Sequence, residues 1–86
     1  LNLAELAKVK HEAAILAFGH HLRRLRRARK LTQEALADYA EISRPTVQRI
    51  EKGQAAPTLQ MLLSLAQVLQ VSLNELVDAP GVIPQE

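Results

Sequence analysis

The sequence contains no cysteine and no tryptophan, and it has one phenylalanine, one tyrosine and three glycines in 86 residues. The lack of cysteine rules out disulfides and thiolate metal sites and fits a reducing compartment such as the cytoplasm. Phe18 and Tyr39 are too few to suggest a β-sandwich core, whereas Leu and Ala dominate and both favour helices. No apolar run approaches the roughly 20 residues that cross a bilayer. No signal-peptide pattern is present, and no membrane association is expected. No glycine-rich phosphate loop occurs. His11, His20 and His21 have no cysteine or carboxylate to complete a metal set, and the adjacent pair would point about 100° apart on a helix. Catalysis, a bound metal and a cofactor are therefore not expected. Ser43 and Ser72 are read as helix caps rather than nucleophiles.

A net charge of +2 decides little, but its distribution is informative. Residues 23–52 hold nine of the eleven Lys and Arg against Glu34, Asp38, Glu41 and Glu51, a local excess of +5, and the remaining segments sum to −3. A basic middle between acidic ends suggests an anionic partner.

Strand patterns and repeats are absent, and apolar residues recur at helical spacing. Thr32, Ser43 and Ser72 each open a helical pattern as an N-cap whose oxygen accepts a first-turn N–H. Ser72 and Glu75 make a capping box. Each cap also carries a hydrophobic staple, in the pairs Leu31/Leu36, Ile42/Val47 and Val71/Leu76. Thr58, after Pro57, starts another helix, and Gly53 suits the left-handed position that ends the one before it. These signals predict helices at about Phe18–Arg29, Gln33–Ala40, Arg44–Lys52, Leu59–Gln70 and Leu73–Asp78. Residues 80–86 read as a mobile tail. Residues 2–17 are also helical in pattern, with Leu6, Val9, Ala13 and Leu16 in one stripe. This segment either extends the first helix or packs separately. Gly19 costs about 1 kcal/mol against alanine in a helix interior, which favours a break there.

Two short capped helices separated by Glu41-Ile42-Ser43 form a helix-turn-helix. Leu36 and Ala40 face inward from the first, Val47 and Ile50 from the second, and Ala37 is small where the two axes cross. At about 100° per residue, Arg44, Pro45, Gln48, Arg49 and Lys52 share the face opposite Val47 and Ile50. That face offers what a DNA major groove reads: Arg for guanine, Gln for adenine and an apolar ring for a thymine methyl. Arg27 and Lys30 are placed to reach a phosphate backbone, while Arg23 and Arg24 are equally well read as a solvated face. Met61 and Val68 either widen the core or belong to a dimer patch, as does the 2–17 stripe.

The stretches LRRLRRARKLTQEALADYAEISRPTVQRIEKG and PTLQMLLSLAQVLQVSLNEL resemble the phage-repressor/Cro (XRE-type) helix-turn-helix domains. The resemblance rests on L-T-Q-x-x-L-A, on the I/V-x-x-I-E-x-G ending and on L-A-x-x-L-x-V-S-x-x-x-L, and it runs from Phe18 to about Val77. It implies an all-α, five-helix repressor-type domain over 18–79 with a third helix that enters the major groove of double-stranded DNA, and the helical pattern before it adds an N-terminal helical extension over 1–17. It further implies base-reading roles for Arg44, Pro45, Gln48 and Arg49, and backbone contacts from Gln33 and Lys52. Arg26 and Glu51 match a salt bridge between the first and third helices. Glu41 stands where the family often has glycine, and Pro45 cannot donate a hydrogen bond to a base. The implied function is a cytoplasmic, chromosome-associated transcriptional regulator of the repressor type, acting as a homodimer. The alternative within the same fold is an antitoxin-like interaction module that holds a protein partner through its N-terminal helix.

Overall fold

A computed structural model describes residues 1–82, and all of its regular elements are helices: α1 (Leu3–Ala28), α2 (Gln33–Ala40), α3 (Arg44–Glu51), α4 (Leu59–Leu69) and α5 (Leu73–Val77). Each begins where a side-chain oxygen can satisfy a first-turn amide. Asn2, Thr32, Ser43, Thr58 and Ser72 accept from the backbone N–H of Glu5, Ala35, Thr46, Met61 and Glu75 at 2.8, 3.0, 3.2, 3.1 and 3.0 Å. Such a cap typically stabilises by about 1 kcal/mol.

Four of the five helix ends follow one scheme. Lys30, Glu41 and Gln70 all adopt φ of 57°, the left-handed conformation. The next residue in each case, Leu31, Ile42 or Val71, donates its N–H back to Arg26, Ala37 or Ala66 at 3.2, 2.9 and 3.1 Å, closing a Schellman-type end. Those same apolar residues are half-buried against the core and lie one position before the next N-cap. One side chain thus closes one helix and staples the next. Gly53, at φ 72°, ends α3 in the same way, with the Gln54 N–H reaching Arg49 at 2.8 Å.

The core is Phe18 and Leu22 of α1, Leu36, Ala37 and Ala40 of α2, Val47 and Ile50 of α3, Leu65, Ala66 and Leu69 of α4, and Leu76 of α5. Burying a side chain of Leu size contributes about 1.5–3 kcal/mol. Met61 and Val68 are half-buried against this core.

Three expectations need correction. Of the two alternatives for residues 2–17 the structure takes extension, so residues 3–17 continue the first helix and the break at Gly19 is not made. The glycine serves packing instead: a Cβ at Gly19 would lie 2.3 Å from the Ile50 carbonyl oxygen and 2.9 Å from that of Glu51. Only a bare backbone lets α1 and α3 approach this closely. The proposed tail divides as well. Val82 is half-buried against the core, and a Cβ at Gly81 would lie 3.1 Å from the Cβ of Ala17, so 80–82 packs on α1. Residues 83–86 lie outside the described residues. Finally, α1, α3, α4 and α5 each stop one residue earlier than expected, because Arg29, Lys52, Gln70 and Asp78 are caps.

Candidate nucleic-acid interface

The surface begins with the way α3 is held. Val47 and Ile50 are buried, which turns the rest of the helix outward. Glu51 is buried too and carries a network. Arg26 of α1 grips its carboxylate with two bonds, Nε to Oε2 at 2.7 Å and Nη2 to Oε1 at 3.0 Å. The third guanidinium arm donates to the Leu31 carbonyl at 2.8 Å, and the Gln33 amide donates to Glu51 Oε1 at 3.1 Å. The Arg26 and Glu51 side chains are only 9% and 2% exposed, so nearly all of this charge is withdrawn from water and matched by geometry. Among the described residues, no buried side-chain polar atom lacks a partner. The network ties the end of α1, the start of α2 and the end of α3 into one block.

Outward from that block stand Arg44, Pro45, Arg49 and Lys52, all exposed, with Gln48 half-buried beside them. The ridge is therefore not covered by the chain's own described residues. Arg49 Nη2 lies 3.5 Å from Thr46 Oγ1, a contact at the limit of a hydrogen bond. Arg27 and Lys30 are exposed at the end of α1. Gln33 is half-buried, and its amide is already engaged by Glu51.

Two residues of this surface carry little signal in the sequence. Arg23, legible equally as a solvated charge, lines one cleft with Arg26, Thr32, Gln33, Glu34 and Arg44. Glu34 approaches Arg44 Nη1 at 3.9 Å, with both side chains largely exposed. An exposed pair of this kind contributes less than about 1 kcal/mol, so Arg44 remains free to leave it. Arg29, in the same basic run, has a different task. Its Nε donates to the Leu69 carbonyl at 2.8 Å, capping the C-terminal end of α4. His21 Nε2 lies 3.0 Å from the Glu75 carbonyl oxygen and joins α1 to α5. Among the described residues, no group of three His, Cys, Asp or Glu side chains could hold a metal ion. No helix there is long and apolar enough to cross a membrane.

Comparison with known proteins agrees with this fold. The HTH_3 helix-turn-helix family profile matches residues 22–76. The chain is 46% identical over 65 residues to the uncharacterized HTH-type transcriptional regulator RghRB of Bacillus subtilis, covering 74% of this chain and 47% of that protein. It is 36% identical over 70 residues to the HTH-type transcriptional repressor RghR of the same organism, covering 80% and 52%. The chain thus spans about half the length of these curated relatives. The crystal structure of the restriction-modification controller protein C.AhdI from Aeromonas hydrophila superposes with a TM-score of 0.70 at 39% identity, covering 72% of this chain and 94% of that one. The profile matches well over half of the chain, and the chain belongs to the HTH_3 helix-turn-helix family.

Proposed function

We propose that this chain is a cytoplasmic, chromosome-associated transcriptional regulator of the repressor type, which binds a specific duplex DNA sequence by placing α3 in the major groove. The carrying observation is the uncovered ridge of Arg44, Pro45, Arg49 and Lys52, with Gln48 beside it, on a helix whose other face is locked into the core. The regulator and repressor names of the relatives support the same reading. Arg44 and Arg49 are suited to guanine O6 and N7, Gln48 to adenine N6 and N7, and the Pro45 ring to a thymine methyl. Gln33, Arg27, Lys30 and Lys52 hold phosphates, and Arg23 joins them through the cleft it shares with Gln33. Thr32 accepts the Ala35 N–H, which leaves the amides of Gln33 and Glu34 at the α2 N-terminus for a phosphate oxygen. Arg26 and Glu51 position α3 rather than touch DNA. Regulation of this kind is exclusion by occupancy and requires no catalytic group or cofactor.

Two copies related by a two-fold axis would present their α3 helices to half-sites about 34 Å apart, and so read a palindrome. The test is selection of bound sequences from a random duplex pool, followed by affinity measurements on the selected site at several salt concentrations. Arg44→Ala is expected to cost about 1–3 kcal/mol on the selected site and to relax preference at one position. Lys52→Ala should weaken all sequences alike and reduce the salt slope by about 1. An Arg44→Ala variant with unchanged sequence preference would refute the base-reading role.

A further inference from the structure

On the apolar side of the N-terminal half of α1, Leu16 rests against the backbone of Gly53 at the end of α3, and the residues before it have no described partner. Core residues on this helix begin at Phe18, yet the helix extends back to Leu3. Leu6, Val9 and Leu16 are 39%, 52% and 46% exposed. With Ala13 they recur at spacings of three and four, which places them on the side of the helix roughly opposite Phe18 and Leu22. A free helical arm shorter than about 12–15 residues is marginal in water, and an apolar stripe along it favours a cover.

The charges flanking the stripe indicate what covers it. In heptad terms Leu6 and Ala13 occupy a positions and Val9 and Leu16 d positions. Glu5 then falls at g and Lys10 at the following e. In a parallel pair of identical helices, the g residue of one strand meets the next e residue of the other. Glu5 therefore meets Lys10 of a second copy, and by symmetry the same contact forms twice. An antiparallel pair would instead bring Lys10 near Lys10 and Glu12 near Glu12, which is repulsive. Beyond Leu16 the same side of α1 carries His20, Arg23, Arg24 and Arg27 and no acid, so two copies repel there and the seam ends where the folded body begins.

We infer that residues 3–17 of α1 pair with the same segment of a second copy as a short parallel two-stranded zipper. The inference rests on the two-fold reading of the function above and names its surface. Directing the seam along the arm leaves the basic half of α1 uncovered. With two heptads and an alanine at one a position, the zipper is weak and the association is reversible.

The experiment is sedimentation equilibrium on the whole chain without DNA. Wild type should show a reversible monomer–dimer equilibrium. Glu5→Lys and Lys10→Glu should each weaken it at least about tenfold, and the double reversal should restore it. Glu5 also touches the Asn2 cap, with Asn2 Nδ2 3.3 Å from Glu5 Oε1. Loss of that cap cannot be repaired by Lys10→Glu, so rescue is specific to the pairing. Ala13→Leu should tighten the dimer more than about tenfold by filling the seam. A wild-type chain that stays monomeric to about 1 mM, single reversals without effect, or a double reversal as weak as the singles would each overturn the inference. Binding of each variant to a single DNA half-site is measured in parallel. That readout depends on the α1–α3 surface of a single copy and not on pairing, so its loss or retention tests the DNA-binding reading separately from the zipper.

Discussion

Replacing Gly19 with alanine tests the packing account most sharply, because helix propensity and tertiary geometry predict opposite signs. In an isolated helix the change stabilises by about 1 kcal/mol. Here the new methyl would fall 2.3 Å from the Ile50 carbonyl oxygen and 2.9 Å from that of Glu51. Both neighbours are backbone, so no side chain can rotate out of the way. Restoring ordinary contact requires α1 and α3 to separate by about 1 Å, and a gap of that size forfeits a quarter to a half of each dispersion contact across it. Phe18, Leu22, Val47 and Ile50 are the buried apolar residues on those two helices that would feel it. Overpacking of this kind costs about 1–3 kcal/mol, and a backbone clash belongs at the upper end. Subtracting the propensity gain leaves a net loss of about 2 kcal/mol, equivalent to a fall in Tm of about 10 °C for a domain of this size. Urea unfolding followed by circular dichroism, together with a thermal melt, measures it. A variant as stable as the parent would mean that the close approach of α1 and α3 does not constrain this position.

Arg26→Met should cost about 3–5 kcal/mol, because it strands the Glu51 carboxylate, 2% exposed, with only the Gln33 amide. The double change Arg26→Met with Glu51→Met should be less damaging than Arg26→Met alone, and chemical denaturation of the set would refute the coupling if the two losses simply added. Glu41→Gly should raise stability by about 1 kcal/mol, since Glu41 sits at φ 57° and glycine removes a left-handed strain of about 1–2 kcal/mol while losing somewhat less to chain entropy. An unchanged or lower urea midpoint would show that the turn is not strained at this residue.

The difference between what the sequence discloses and what it conceals follows from how far each stabilising contact reaches. Thr32, Ser43, Thr58 and Ser72 each act on an amide three residues away, so a residue type at a fixed offset is enough to place four helix starts. Helix ends are less legible. The textual sign of a left-handed residue is glycine, and Lys30, Glu41 and Gln70 are not glycines. What holds them is burial of the next side chain, Leu31, Ile42 or Val71, which the sequence does display, but in its other role as the staple of the following helix. Gly19 shows the opposite failure. Its local meaning, a weak point in a helix, differs from its tertiary one, and no neighbouring residue indicates that a carbonyl of α3 will lie against it. The basic run at the end of α1 divides for the same reason. Arg26 enters the core to hold Glu51, Arg29 reaches a carbonyl 40 positions away, and Arg23 faces the cleft beside Arg44. In the sequence all three are simply arginines on one helix. Their separation into anchor, cap and surface charge depends on where α3 and α4 pack. A functional surface made of similar side chains is therefore legible as a surface well before its members can be told apart, and the variants that distinguish them must report stability and DNA affinity separately.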